Sequence, residues 1–256
     1  MRFSTPLRGL TITAALVLLA ACAGSPTTLT PEASKRIHNV GIASFAARDL
    51  GRQYVGLTVF GNEYEHEDIS AWHVDAAYEG QIAETLTRLY GMQAQPMGDV
   101  LRDTPVPKVS RGTPDEEGSA PIVKTLCERQ ALDAVVLVAP AMSNDAIGST
   151  NQSLVGAATY ARLAGFGGNH SSLHLIADAE LFDCKTRALM ASRRVGIWNE
   201  SKFTLPLKPV ATSVSRAKMA NWTPGMRDLI RKDLESLPVR SWDSTFKALL
   251  GPGVAR

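Results

Sequence analysis

Aromatic residues make up only 6% of the 256-residue chain, and cysteine occurs three times, at Cys22, Cys127 and Cys184. So few thiols exclude a disulfide-dense miniprotein. Charge of one sign is not in surplus either: 27 Lys and Arg face 25 Asp and Glu. A chain so nearly neutral makes a poor dedicated nucleic-acid binder, because phosphate contacts need excess cations. After the first 22 residues no charge-free apolar run is long enough to span a bilayer. The motifs of common chemistry are missing as well. There is no Gly-x-Ser-x-Gly elbow, no phosphate loop ending in Gly-Lys-Ser/Thr, no Gly-x-Gly-x-x-Gly turn and no His-Glu-x-x-His. No catalytic set and no cofactor site follow from the sequence. What remains is ordinary globular composition, 45% hydrophobic and 20% charged, in a length that can bury a real core.

The amino terminus carries the sharpest pattern. Arg2 and Arg8 form a basic region, and Leu10 to Ala21 form an apolar stretch too short for the roughly 20 residues of a membrane-spanning helix. It ends in Leu19-Ala20-Ala21-Cys22, which resembles the lipobox of bacterial lipoproteins. That resemblance implies a signal peptide over residues 1–21, removed after acylation of Cys22, palmitate among the acyl groups. Loss of Arg2 and Arg8 leaves the charges balanced. Several acyl chains give stable anchoring where one is marginal. Position 23 is Ala rather than Asp. By the same resemblance the inner-membrane retention signal is absent, which favours the outer membrane, facing the periplasm. Residues 22–36 follow as a lipidated tether rich in Pro, Gly, Ser and Thr, and residues 37–256 as a periplasmic domain.

Within that domain, 40–45 and 54–60 read as strands able to form a hairpin, and 61–70 as a polar connection. Tyr78, Ile82, Leu86 and Leu89 recur at helical spacing over 74–90, ended by Gly91. Residues 92–97 read as a short strand, 98–118 as a loop, and Pro121 as an early residue of a helix reaching Gln130. Ala134 to Ala139 is a buried strand stopped by Pro140. Residues 141–170 read as a long Gly/Ala-rich loop with a short helix near 154–163. Strands over 173–182 and 189–195 flank a turn at Asp183–Thr186, with one face buried and the other mostly solvated. Asp178 and Glu180 can then meet Arg193 or Arg194 across the pair. After an irregular stretch, 200–221, Thr223-Pro224 opens a helix that Pro238 closes, and a last helix turns Trp242, Phe246, Leu249 and Leu250 inward.

This order predicts an α/β (α+β) fold: one domain with a mixed sheet flanked by helices, followed by C-terminal helices. At that level it is similar to the periplasmic α/β domains of lipoproteins that regulate cell-wall synthases, and to the amino-terminal domain of TolB. Fold likeness alone implies little about function.

Glu63, Glu65, His66, Glu67 and Asp68, with His73 and Asp75 nearby, have metal-ligating types but not a zinc helix's spacing; they read as a solvated loop. His170 and His174 would sit about 13 Å apart in a strand, too far to chelate. Gly165–Gly168 reads as a flexible loop. No metal site is assigned. Charge is uneven: residues 49–84 hold eight acids and one base, whereas 193–256 hold twelve bases and five acids. The two segments either make the surface dipolar or lie together and neutralise one another.

Cys127 and Cys184 allow one intramolecular pairing. If 173–182 runs antiparallel to 134–139, its far end returns to the edge where the Cys127 helix finishes, and a disulfide forms. A parallel crossover would set the thiols on opposite edges. Taken together, these readings predict a non-enzymatic, lipid-anchored scaffold that binds another cell-envelope protein. The alternatives are an envelope hydrolase whose site assembles only in three dimensions, and a subunit of an outer-membrane secretion pore.

Overall fold

A computed structural model describes residues 28–57, 59–101, 104–109, 115–144, 152–162, 170–199 and 202–252. Residues 1–21, read as a signal peptide, Cys22 and Gly165–Gly168 lie outside the described residues.

The longest strand organises the molecule. β8 (His170–Asp183) follows β1 (Asn39–Ser44), β2 (Asp49–Val55), β3 (Glu63–Asp68), β4 (Gln93–Pro96), β5 (Ala134–Pro140), β6 (Met142–Asn144) and β7 (Ser153–Arg162). After it come β9 (Leu189–Arg194), the small hairpin β10 (Ile197–Asn199) and β11 (Lys202–Thr204), and β12 (Leu207–Pro209). The C-terminal half of β8 pairs antiparallel with β5 and β9, and its N-terminal half with β7 and β12. Two half-sheets therefore share one strand, in the orders β4-β1-β5-β8-β9 and β3-β2-β7-β8-β12. β5 and β7 succeed one another along one edge of β8. They meet where Ala141 N–H donates to Ile176 and Gly156 N–H donates to Ala141. Gly156 takes the left-handed backbone (φ 58°) at this joint, a conformation that suits glycine.

Helices cover both faces, as a sheet buried on both sides requires. α2 (Val74–Tyr90), α5 (Pro224–Ser236) and α6 (Val239–Leu250) pack on Val40, Ile42, Val136, Leu175 and Leu181. α3 (Glu116–Arg129) packs on Ala43, Val135, Leu137 and Phe182. Short helices α1 (Pro31–Ser34) and α4 (Thr212–Arg216) complete the set. The result is the single mixed α/β domain expected, with its C-terminal helices. Among the described residues no helix is long and apolar enough to cross a membrane.

Many local readings hold. α2 ends at Gly91 in the left-handed conformation (φ 64°). Thr223 caps α5 by accepting from Met226 N–H, and Trp242, Phe246, Leu249 and Leu250 are buried. β5 runs antiparallel to β8, and Asp183 Oδ1 organises the β8–β9 turn by accepting from Thr186 N–H. On that geometry Cys127 and Cys184 are joined by a disulfide, their Cα atoms 5.3 Å apart. Asp178 meets Arg194 across the pair at 2.6 Å, as expected.

Other readings are corrected. β1 and β2 do not form a hairpin. The chain crosses at 45–48 from one half-sheet to the other, and β2 begins at Asp49 because buried Arg52 and Gln53 find hydrogen-bond partners there. The polar 63–68 is a strand, its acids neutralised by cations distant in sequence. The helix expected near 154–163 is β7; its Gly and Ala residues let three strands approach without steric conflict, and Val155, Thr159 and Tyr160 suit the sheet. α3 starts five residues before Pro121, capped by Asp115, which accepts from Gly118 N–H at 3.1 Å. The irregular stretch 200–221 includes β11, β12 and α4. β8 is buried on both faces rather than one, so Glu180 lies in the interior. The end of the segment read as a tether, from Thr28, is docked: Leu29 is buried and its N–H donates to Leu249 at 2.8 Å.

Candidate functional site

The sheet itself indicates where to look. β4 and β5 flank β1 in parallel on either side, and the helices leading into them, α2 and α3, cover opposite faces. The strand order thus reverses at β1, and open α/β sheets bind ligands outside the carboxyl ends of strands at such a point. A cleft of about 300 Å³ lies there, at the meeting of Ser44, Pro96 and the first turns of α2. Arg48, Ser70, His73, Asp75, Glu79 and Asp99 supply its polar lining.

Two of these carboxyls stand four residues apart on α2, hence on one helix face. Glu79 accepts Ser44 N–H at 2.9 Å with one oxygen and Gly98 N–H at 2.9 Å with the other. Asp75 Oδ1 accepts the Ser44 hydroxyl at 2.5 Å and Ala47 N–H at 3.1 Å. These donors are what strand ends leave unpaired, so the two acids tie the ends of β1 and β4 to the start of α2. Burial pushes the Glu79 carboxyl up to about 7, against the pull of its two backbone donors, and raises Asp75 too. Arg48 spans the same corner, donating to Leu101 and Thr104 carbonyls while lying over the Phe45 ring. His73, in the left-handed conformation (φ 56°), lines the mouth and bonds neither Ser44 nor Asp75. The arrangement can hold a polar ligand at its rim, but its inner carboxyls are engaged in the fold.

A second cavity, about 260 Å³, opens where the half-sheets part, between Phe45, Val106, Pro107, Pro140 and Val155, with Asp49, His66 and Lys108 among its lining.

The acidic cluster divides by strand alternation. Glu63, Glu65 and Glu67 turn to one face, where Arg52 holds the first two and Arg227 the third. Tyr64, His66 and Asp68 turn to the other. Arg52 is almost fully buried and also donates to the Ser215 and Arg216 carbonyls, and Glu65 accepts Met219 N–H at 2.7 Å. The acidic and basic segments therefore lie against one another. Among the described residues no three His, Cys, Asp or Glu side chains are placed to share a metal ion.

His170 reaches Ser172 Oγ at 3.2 Å, whereas His174, four residues on, is fully buried with neither ring nitrogen hydrogen-bonded. Burial lowers His174 to about 4. Glu180 lies under the first turns of α3, one oxygen 3.4 Å from the Ser119 hydroxyl and the other unpaired. Burial, and then the nearby Asp178 charge, raise it to about 8. Sequence reasoning did not single out Glu79, Arg52 or Arg48. The one available signal was Glu79 beside Tyr78 and three residues before Ile82, on the apolar stripe of α2.

The class defined here is a mixed α/β domain with its crevice at the switch point of a parallel trio. No family model matches the chain, and no curated protein matches it in sequence. Among solved structures, the crystal structure of lipoprotein GNA1162 from Neisseria meningitidis aligns over 76% of this chain and 94% of that one, with 9% identity and a TM-score of 0.31. A likeness at that level carries no argument about this chain.

Proposed function

We propose that this chain is a lipid-anchored periplasmic protein of the outer membrane that binds another cell-envelope protein as a scaffold, without catalysis of its own. One observation carries the reading: the end that would face the anchor and the end bearing the largest exposed apolar side chains belong to opposite ends of β8. Thr28 and Leu29 dock on the last turn of α6, whose end Tyr90 holds by donating to the Phe246 and Gly251 carbonyls. Tyr90 leads into β4, level with the last residues of β8 through β1 and β5. The far end of β2 is level with His170, the first residue of β8, through β7. Beyond it Leu57 is 76% and Phe60 96% exposed.

Cys22 and Thr28 are six residue steps apart, a reach of roughly 20 Å at most. An acylated Cys22 would hold the domain end-on and present the far end to the periplasm. The lipobox resemblance supports the anchor, and Ala rather than Asp at position 23 supports the outer membrane. The engagement of Asp75 and Glu79 in strand-end hydrogen bonds favours binding over hydrolysis. Crosslinking in intact cells tests the reading: a specific adduct with an envelope protein is expected, and recovery of none would overturn it.

A further inference from the structure

We propose that the cavity where the two half-sheets part is a binding site for a small zwitterion with an apolar body, a free apolar α-amino acid. It is separate from the cleft at the ends of β1 and β4 and independent of the scaffold reading. Its volume is about 260 Å³. Drug-sized ligands take roughly 300–1,000 Å³. The space therefore suits an occupant the size of leucine or phenylalanine rather than an acyl chain or a peptide.

Interior and mouth differ in chemistry. Phe45, Pro107, Pro140 and Ala157 are buried and Val155 is half-buried, so the interior is apolar. The polar lining is Asp49, His66 and Lys108, and all three are exposed, which sets them at the mouth. Gly51 keeps the space open: a Cβ there would stand 3.0 Å from the Ala158 Cβ and 3.6 Å from the His66 Cε1. The wall at 106–109 is held at two points. Arg48 donates to the Thr104 carbonyl at 2.6 Å. Lys108 N–H donates at 3.1 Å to the Asp115 carboxylate that also caps α3. A site held in shape loses little conformational freedom when it is filled, which favours binding.

The charges at the mouth select the occupant. Among the described residues neither the Asp49 carboxylate nor the Lys108 ammonium has an ion pair or hydrogen bond, with each other included. Asp68, the acid opposite Asp49 on β3, is occupied by Ser70 N–H at 2.8 Å. One open carboxylate and one open ammonium on a single apolar hollow complement a ligand that carries both charges. A carboxylate ligand without an amine would meet Asp49 as a like charge, and an amine without a carboxylate would meet Lys108 as one.

The test is calorimetric titration of the full chain in detergent with leucine and phenylalanine, alongside leucinamide, N-acetylleucine and leucyl-leucine. Leucine or phenylalanine should bind at one site, at least tenfold more tightly than the two singly charged analogues and the dipeptide. Asp49→Asn and Lys108→Met should each weaken that binding at least tenfold. Both side chains are exposed, so thermal unfolding of the two variants should match the parent. Bound leucine should move the imidazole NMR signal of His66, identified by its loss in His66→Gln, and leave that of His73 at the other cleft in place. Movement of His73 instead, or equal binding of leucine and its singly charged analogues, would overturn the proposal. Tighter binding of the dipeptide would do the same. So would the lack of both heat and a His66 shift at ~10 mM of either amino acid.

Discussion

Glu79 accepts the backbone N–H groups of Ser44 and Gly98, so one carboxylate joins the ends of two neighbouring parallel strands from a helix. Its replacement shows how the crevice is held. Glu79→Ala orphans a buried donor at Ser44 and a half-buried one at Gly98, and should cost on the order of 2–4 kcal/mol in urea unfolding at pH 7. Glu79→Gln should cost part of that, because its amide N–H₂ must face one of the two donors. Equal stability of Glu79→Ala and the parent would remove the strut from the account.

Glu180 gives the fold an alkaline weakness. Its folded-state value, about 8, lies above the ordinary 4.5, because burial disfavours the charge. Its contribution is therefore complete below about pH 4.5 and lost as pH rises to about 8. Glu180→Gln should shrink the stability difference between pH 5 and pH 9 by on the order of 3 kcal/mol. A parallel shift of the whole pH profile would contradict this.

His174 acts with the opposite sign. Burial depresses it to about 4, so the stability it permits near neutrality is lost as pH falls from 6.5 towards 4. Both ring nitrogens lack partners, and His174→Leu removes two buried unsatisfied groups. Thermal midpoints at pH 5 should rise in this variant, with a smaller rise at pH 7.5.

The Cys127–Cys184 bond closes a loop with a sequence separation of 57 residues. Loop-closure entropy for that span is on the order of 4 kcal/mol. Cys184→Ser should lose a comparable amount, and alkylation of the denatured, unreduced domain should leave both thiols unlabelled. Labelling of both without reductant would refute the bond.

Acylation is expected at Cys22. Cys22→Ser should abolish incorporation of labelled palmitate and release the protein from the outer-membrane fraction. Label retained by Cys22→Ser would end the lipoprotein assignment.

What could be read in the sequence was whatever rests on local chemistry. Tyr78, Ile82 and Leu86 repeat at helical spacing, and Thr223-Pro224 announces a helix start. The antiparallel placement behind the Cys127–Cys184 pairing was one of two that the sequence left open, and the pairing of β5 with β8 decides between them. What escaped depends on partners far along the chain. Glu63 to Asp68 looks like a loop until Arg52 and Arg227 neutralise its acids from other elements. Gly156 to Ala158 reads as part of a short helix until β2 and β8 close on both sides of it. The engagement of Glu79 and the burial of Glu180 were invisible for the same reason: a carboxylate's role is set by the donors brought to it, and these come from Ser44, Gly98 and Ser119.

The sharing of β8 by both half-sheets has a consequence for the order of assembly. Gly41 in β1 awaits Val135, Leu50 in β2 awaits Ala157, and both Val135 and Ala157 await β8. Neither half-sheet can close until residues 170–183 have emerged. Long-range parallel pairing of this kind folds slowly. Until β8 has emerged, β1 can pair with β4 and β2 with β3, but their edges towards β5 and β7 stay open, with Ile42 and Leu50 uncovered. A chain of this topology benefits from a holding chaperone, and its yield should follow chaperone supply more closely than its final stability.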